Sequence, residues 1–325
     1  MRIPLLDLVR VVAMFFVLLI HSPGDGDYIT TPAMTFFKEF IGSGAVPLFF
    51  MLSGYLGLRK LQQGKVSFYD FLKSRYHSLI IPYVFWNGLL LLIIVLLKLV
   101  HLDRMLRGGG AYFDFNLSPS SVLEAFGIGR HFPILHQFWF LRDLIIVEIL
   151  AFFIYRYIPN IPLLALLIFA LPVDGSPSLG FYLTGCWLSK VLPESKYPTL
   201  KASYLYCILW AIIGCVSIAA VYNIPSPLQQ FCSAGFLFML CSILLSTSLG
   251  KSLTALGPAV FFVYATHMPF QSYLAKLWQV FHIPLFGSFA CFILLPLTTM
   301  IACLAAYHVL HRYFKTYLLF VTGGR

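Results

Sequence analysis

Ten runs of apolar residues dominate this sequence: Leu5 to His21, Phe40 to Leu58, Leu79 to Val100, Phe138 to Tyr155, Ile161 to Val173, Leu179 to Leu192, Tyr204 to Tyr222, Leu228 to Leu249, Leu256 to Ala275 and Phe286 to Leu310. A hydrocarbon core about 30 Å thick takes about 20 residues of helix to cross, and within it each backbone N–H and C=O must be satisfied inside the segment. The expected fold is therefore all-α: a polytopic membrane helix bundle of about ten transmembrane helices, with residues 1–325 forming a single transmembrane domain. The fifth and sixth runs are short and flank Asp174-Gly-Ser-Pro, so they also fit a re-entrant pair; losing both would leave the orientation of every later span unchanged. Composition excludes a soluble globular domain, because 60% of the 325 residues are hydrophobic, 10% are charged and the mean hydropathy is +0.87.

The formal charge of +10 would suggest nucleic acid in a soluble protein. Here most Lys and Arg lie between the apolar runs, where they set orientation, and no nucleic-acid partner is expected. With the N-terminus in the cytoplasm, that side collects Arg2, Arg59, Lys60, Lys65, Lys73, Arg75, Arg156, Lys190, Lys196, Lys201, Lys251, Arg312, Lys315 and Arg325. The opposite loops hold only Lys38, Arg104, Arg107, Arg130 and Lys276. Both termini are thus expected to be cytoplasmic. The first run is broken by Asp7 and Arg10 and is followed by no small-residue cleavage site, so it reads as a retained helix. The seven cysteines show neither CxxC nor Cys/His ligand spacing, and no metal site is expected. The largest outer loop, His101 to Gln137, contains Gly108-Gly-Gly and Phe126-Gly-Ile-Gly, which predicts irregular chain with one interfacial helix.

Ionisable residues inside the runs are the informative ones, since each is costly in hydrocarbon without a partner or a wet cavity. Asp7 and Arg10 lie three apart and can pair on one helix face. Arg10 and His21 are eleven apart, close to three whole turns, so they share a face about 16 Å apart along the axis. Each also has a plainer reading: His21 as an interfacial residue ending a helix, Arg10 snorkelling beside Asp7, Arg75 as a topology signal. Arg142 and Asp143, just after Trp139, fit an anchor at the outer end of the fourth run. Glu148 lies deeper and either pairs with a base on a neighbouring helix or lines a polar cavity. His267, in Tyr264-Ala-Thr-His267-Met-Pro269, stands at a hinge or a site, because Pro269 loosens the helix and frees a carbonyl.

Several of these residues stand in an order that resembles the acyltransferase-3 family of multi-spanning membrane O-acyltransferases. Asp7-Leu-Val-Arg10, ten further residues and His21 are similar to that family's Arg-x10-His signature. Val46-Pro-Leu-Phe-Phe-Met-Leu-Ser53-Gly54-Tyr, Arg75 followed by Ile81-Pro82-Tyr83, Phe138-Trp-Phe-Leu141 and Tyr264 to His267 support it. Where the family often carries a second arginine three residues after the first, this chain has Ser78, with Lys73 as a substitute base.

The resemblance implies transfer of an acyl group, most often acetyl from acetyl-CoA, to a hydroxyl of a cell-surface sugar or glycan precursor beyond the membrane. It implies a multi-pass protein of a bacterial plasma (inner) membrane, with acyl-CoA and a sugar as partners in the lipid bilayer and no permanently bound cofactor. Arg10, Arg75 and Lys73 would hold the coenzyme A phosphates, and His21, with Arg10 and Asp7, would carry the chemistry as general base. Ser53, Tyr83 and His267 are candidate donors to the developing oxyanion; Trp139, Arg142 and Glu148 are further substrate candidates. A competing reading is a transporter or exporter of a lipid-linked sugar or polysaccharide using the same intramembrane polar residues. The acyl group, the acceptor and the oligomeric state are not specified by the sequence.

Overall fold

The computed structural model describes residues 3–22, 31–62, 67–101, 118–129, 132–157, 160–170, 176–193, 197–219, 226–281 and 289–324, which are helical with short turns and contain no strand. Ten helices among them have ten or more residues: α1 Pro4–Ile20, α2 Ala45–Gln62, α3 Ile81–Leu99, α4 Trp139–Tyr157, α5 Ile161–Ala170, α6 Ser176–Val191, α7 Leu200–Ala219, α8 Ser226–Leu244, α9 Val260–Val280 and α10 Phe289–Tyr313. Each coincides with one apolar run of the sequence. Six helical stretches among the described residues are long and apolar enough to cross a membrane: Pro32–Gly57, Phe68–Leu99, Leu200–Ser217, Ser226–Leu244, Ser248–Val280 and Phe289–Tyr313. The other four helices differ for physical reasons. α1 has 17 residues, α6 has 16 and α5 only 10, about 15 Å of rise, while α4 carries Arg142, Asp143, Glu148 and Arg156. About half of the His101 to Gln137 loop, the Asp174 turn, the ends of three runs, and Arg2, Lys65, Arg104, Arg107, Arg130, Lys196 and Arg325 lie outside the described residues, as do the side chains of Arg59, Lys60 and Arg156.

α1 is the centre of the bundle. It packs against α2, α8, α9 and α10, and Leu5, Leu6, Leu8, Val9, Val11, Ala13, Met14, Phe16, Val17, Leu18 and Leu19 are all buried. A helix whose apolar residues are buried nearly all round belongs inside a packed interior. Small residues bring other helices close. At Gly54 on α2 a side-chain carbon would collide with the Tyr182 carbonyl of α6, and at Gly185 on α6 with the Met51 carbonyl of α2. Such backbone approach substitutes dispersion contact for the hydrophobic force that lipid does not supply between helices. Ser233 of α8 adds a polar pin, its Oγ donating to the Phe40 carbonyl at 2.6 Å and accepting from Trp210 Nε1 at 3.3 Å.

Prolines shape the helices that flank the centre. Pro82 has no N–H to give the carbonyl four residues back, and the chain before it widens into a π-helical turn, Tyr76–Ile80. Pro269 frees the Ala265 carbonyl in the same way, and Pro296 frees that of Phe292. Both carbonyls are taken up by other elements. Gln137 Nε2 donates to Ala265 at 3.2 Å, and Ser22 Oγ donates to Phe292 at 3.2 Å. Satisfying a backbone oxygen released in a membrane-depth helix is obligatory, so these two bonds tie α9 to the start of α4 and α10 to the end of α1. The C-terminal helix Lys315–Val321 docks on α3, where Trp86 Nε1 donates to the Val321 carbonyl at 3.0 Å.

Candidate functional site

Asp7 and His21, towards the two ends of α1, lie against one neighbouring stretch, Ser248–Val280. At the first end the Arg10 guanidinium meets Asp7 at 2.8 Å, with the Arg10 side chain 34% exposed and Asp7 13%. Asp7 lies against Gly257, where an added carbon would stand 3.0 Å from the Asp7 Cβ. At the other end His21 caps the helix, its ring centroid 5.7 Å from that of His267 on α9. His136 and Lys38 also lie within electrostatic reach of His21. The eleven-residue interval sets positions 10 and 21 about 16 Å apart along the axis on one face. Between them that face carries Met14 and Val17, both buried, so the wall joining the two ends is packed by apolar side chains.

The His21 end is held from three helices. Tyr264 Oη donates to the Gln137 carbonyl at 2.8 Å while the Gln137 amide takes the Ala265 carbonyl, a reciprocal clasp between α9 and the turn before α4. Gln271 Nε2 donates to the Leu18 carbonyl at 2.9 Å and to Ser22 Oγ at 3.4 Å, and Ser22 passes its own proton to Phe292 of α10. His267 is fully buried, with Nδ1 2.8 Å from the Tyr264 carbonyl and 3.2 Å from that of Val263. Sequence reasoning named His267 and His21 but missed Gln137, Ser22 and Gln271. A signal for the first two was present: a proline four residues after each carbonyl announces an orphan acceptor, though not which side chain answers it.

Arg75 lies elsewhere. It ends the short helix Phe68–Arg75, stacks over Phe71 at 5.2 Å, and its Nε stands 2.7 Å from Glu148 Oε2 of α4. Their side chains are 15% and 4% exposed, which answers the question left open for Glu148: it pairs with a base from a neighbouring element. The Tyr182 hydroxyl of α6 and an Arg75 Nη converge on the space beside Gly57. Lys73, two residues earlier on the same helix, is exposed. Arg10 and Arg75 thus have separate carboxylate partners and separate neighbours. Arg142 pairs with Asp143 through Nε at 3.0 Å and Nη2 at 2.8 Å, near the turn at Gly127, and Trp139 is half-buried at the start of α4.

Of the candidate oxyanion donors, Tyr83 already gives its proton to the Phe126 carbonyl at 2.7 Å, and the His267 Nδ1 proton faces backbone carbonyls. Ser53 is half-buried on α2. No group of three His, Cys, Asp or Glu side chains converges to hold a metal ion among the described residues. A family model described as an acyltransferase domain matches residues 3–308. No curated protein and no solved structure matches the chain.

Proposed function

The chain belongs to the acyltransferase-3 family, and from that premise we propose that this membrane acyltransferase transfers an acetyl group from acetyl-CoA to a hydroxyl of a cell-surface sugar or glycan precursor. Ten spans with both ends in the cytoplasm, in the plasma membrane of a bacterium, would put the Arg10 end of α1 inside and the His21 end outside. The observation that carries the reading is the placement of Arg10 and His21 on one face of the buried central helix, with Asp7, the partner of Arg10, and His21 both against Ser248–Val280.

Donor phosphates would be met on the cytoplasmic side by Arg10, with Arg75 and Lys73 as further bases, since guanidinium offers phosphate a bidentate fork. The uncharged pantetheine arm would run along α1 toward His21, displacing the Met14 side chain, whose unbranched thioether repacks easily. His21 would take the proton of the acceptor hydroxyl as its oxygen bonds to the thioester carbonyl carbon. Collapse of the tetrahedral adduct breaks the C–S bond, and the coenzyme A thiolate leaves and recovers the proton from His21. Asp7 would hold the Arg10 guanidinium in register through their 2.8 Å bond.

The test is transfer of label from radiolabelled acetyl-CoA in membranes from expressing cells, comparing wild type with His21→Ala. Transfer should vanish in the variant while its amount and membrane insertion stay normal. Near-normal turnover would remove His21 from the mechanism. An absence of transfer by the wild type would favour a carrier of lipid-linked sugar.

A further inference from the structure

Near His21 are two buried hydrogen-bond acceptors to which nothing among the described residues donates. His267 Nδ1 faces two backbone carbonyls at 2.8 and 3.2 Å, and carbonyl oxygens only accept, so Nδ1 carries the proton. Nε2 is then a lone pair, buried and without a hydrogen-bond partner. Four residues on, the contact of Gln271 with the Leu18 carbonyl identifies the facing atom as the amide nitrogen by the same logic. Its Oε1 is therefore also an acceptor, and it too is buried without a partner. A buried acceptor left unsatisfied is costly, so two of them together fit a ligand that supplies donors.

Their positions agree with one site. Residues 267 and 271 are one turn apart on α9 and share a face, with Cβ atoms about 5–6 Å apart. Gln271 grips the Leu18 to Ser22 turn in which His21 sits, and the His267 ring lies 5.7 Å from the His21 ring. Carboxylate and phosphate oxygens would present lone pairs to lone pairs. Hydroxyl groups fit, because each brings one O–H donor at no cost in charge.

We propose that His267 Nε2 and Gln271 Oε1 form a hydroxyl-binding subsite for the acyl acceptor, each taking a hydrogen bond from a hydroxyl next to the one that reacts at His21. The acceptor is accordingly a polyol with neighbouring hydroxyls, and these two residues decide which of its hydroxyls faces the imidazole. This rests on the acyl-transfer reading above. It also makes His267 an acceptor and not the donor to an oxyanion.

Two substitutions at position 267 separate this role from a structural one. His267→Asn keeps a donor where Nδ1 stands and deletes the Nε2 acceptor; His267→Gln restores an acceptor near the Nε2 position. In membranes carrying the native acceptor, His267→Asn should lower label transfer from acetyl-CoA about three- to tenfold, the loss of one uncharged hydrogen bond, and leave the KM for acetyl-CoA unchanged. His267→Gln should recover most of that loss. Wild-type transfer by His267→Asn, or an equal loss in His267→Gln, overturns the subsite. No transfer by wild type instead removes the acyl-transfer reading itself. If His267→Asn does not accumulate, 15N-histidine spectra of the wild type decide, with the His267 Nε2 signal assigned by its absence from His267→Gln. A shift on adding myo-inositol but not cyclohexanol supports the subsite, and no difference between the two overturns it.

Discussion

Glu148→Leu should be among the most damaging single substitutions in this protein, because it strands a buried guanidinium. Arg75 Nε and Glu148 Oε2 stand 2.7 Å apart with side chains 15% and 4% exposed, so each ion has given up most of its hydration and faces its opposite charge at ion-pair distance. Removing one partner of such a pair costs about 3–5 kcal/mol, whereas replacing both with apolar groups of similar volume is often near neutral. Arg75→Met should therefore destabilise about as much as Glu148→Leu, and the double variant should recover most of the loss. The Phe71 ring beneath Arg75 and the apolar stems around it can accept the methionine. Apparent melting midpoints of the purified full chain in detergent measure all four states. Additive losses in the double variant would refute the reasoning, since they would mean that each charge is stabilised by something other than its partner. Acetyl transfer by the same proteins asks a second question. If Arg75 also binds coenzyme A phosphate, the double variant regains stability without regaining transfer.

Two further outcomes follow from close packing. Gly54→Ala should lower the melting midpoint, as its new carbon meets the Tyr182 backbone, while Gly88→Ala on α3, with nothing within 4 Å, should be neutral or slightly stabilising through helix propensity, by up to about 1 kcal/mol. Trp86→Phe removes the 3.0 Å bond to the Val321 carbonyl and should loosen the Lys315–Val321 helix by about 1 kcal/mol, seen as faster amide exchange there with the rest of the bundle unchanged.

Much of the architecture was legible in the residues alone because helix formation in an apolar solvent is a local matter. Runs such as Leu79 to Val100 must close their own backbone hydrogen bonds, and the described part of each of the ten runs does so chiefly as a helix. The Asp7–Arg10 pair was equally readable, since three residues of helix bring two side chains onto one face wherever that helix packs. The same holds for the carbonyl that Pro269 releases.

What answers that carbonyl was a tertiary question, as was the partner of Glu148. Gln137 and Ala265, or Arg75 and Glu148, meet only once helices distant in sequence have settled their rotation and depth. α1 carries one polar face, Asp7, Arg10 and His21, but that face does not say which side chains of which neighbours will meet it. So the chain's own order specified that Arg10 and His21 share a face. The packing of α9 and α10 around the end of α1 decided that His21 faces His267, that Gln271 and Ser22 close the turn beside it, and that two acceptor atoms are left there for a ligand.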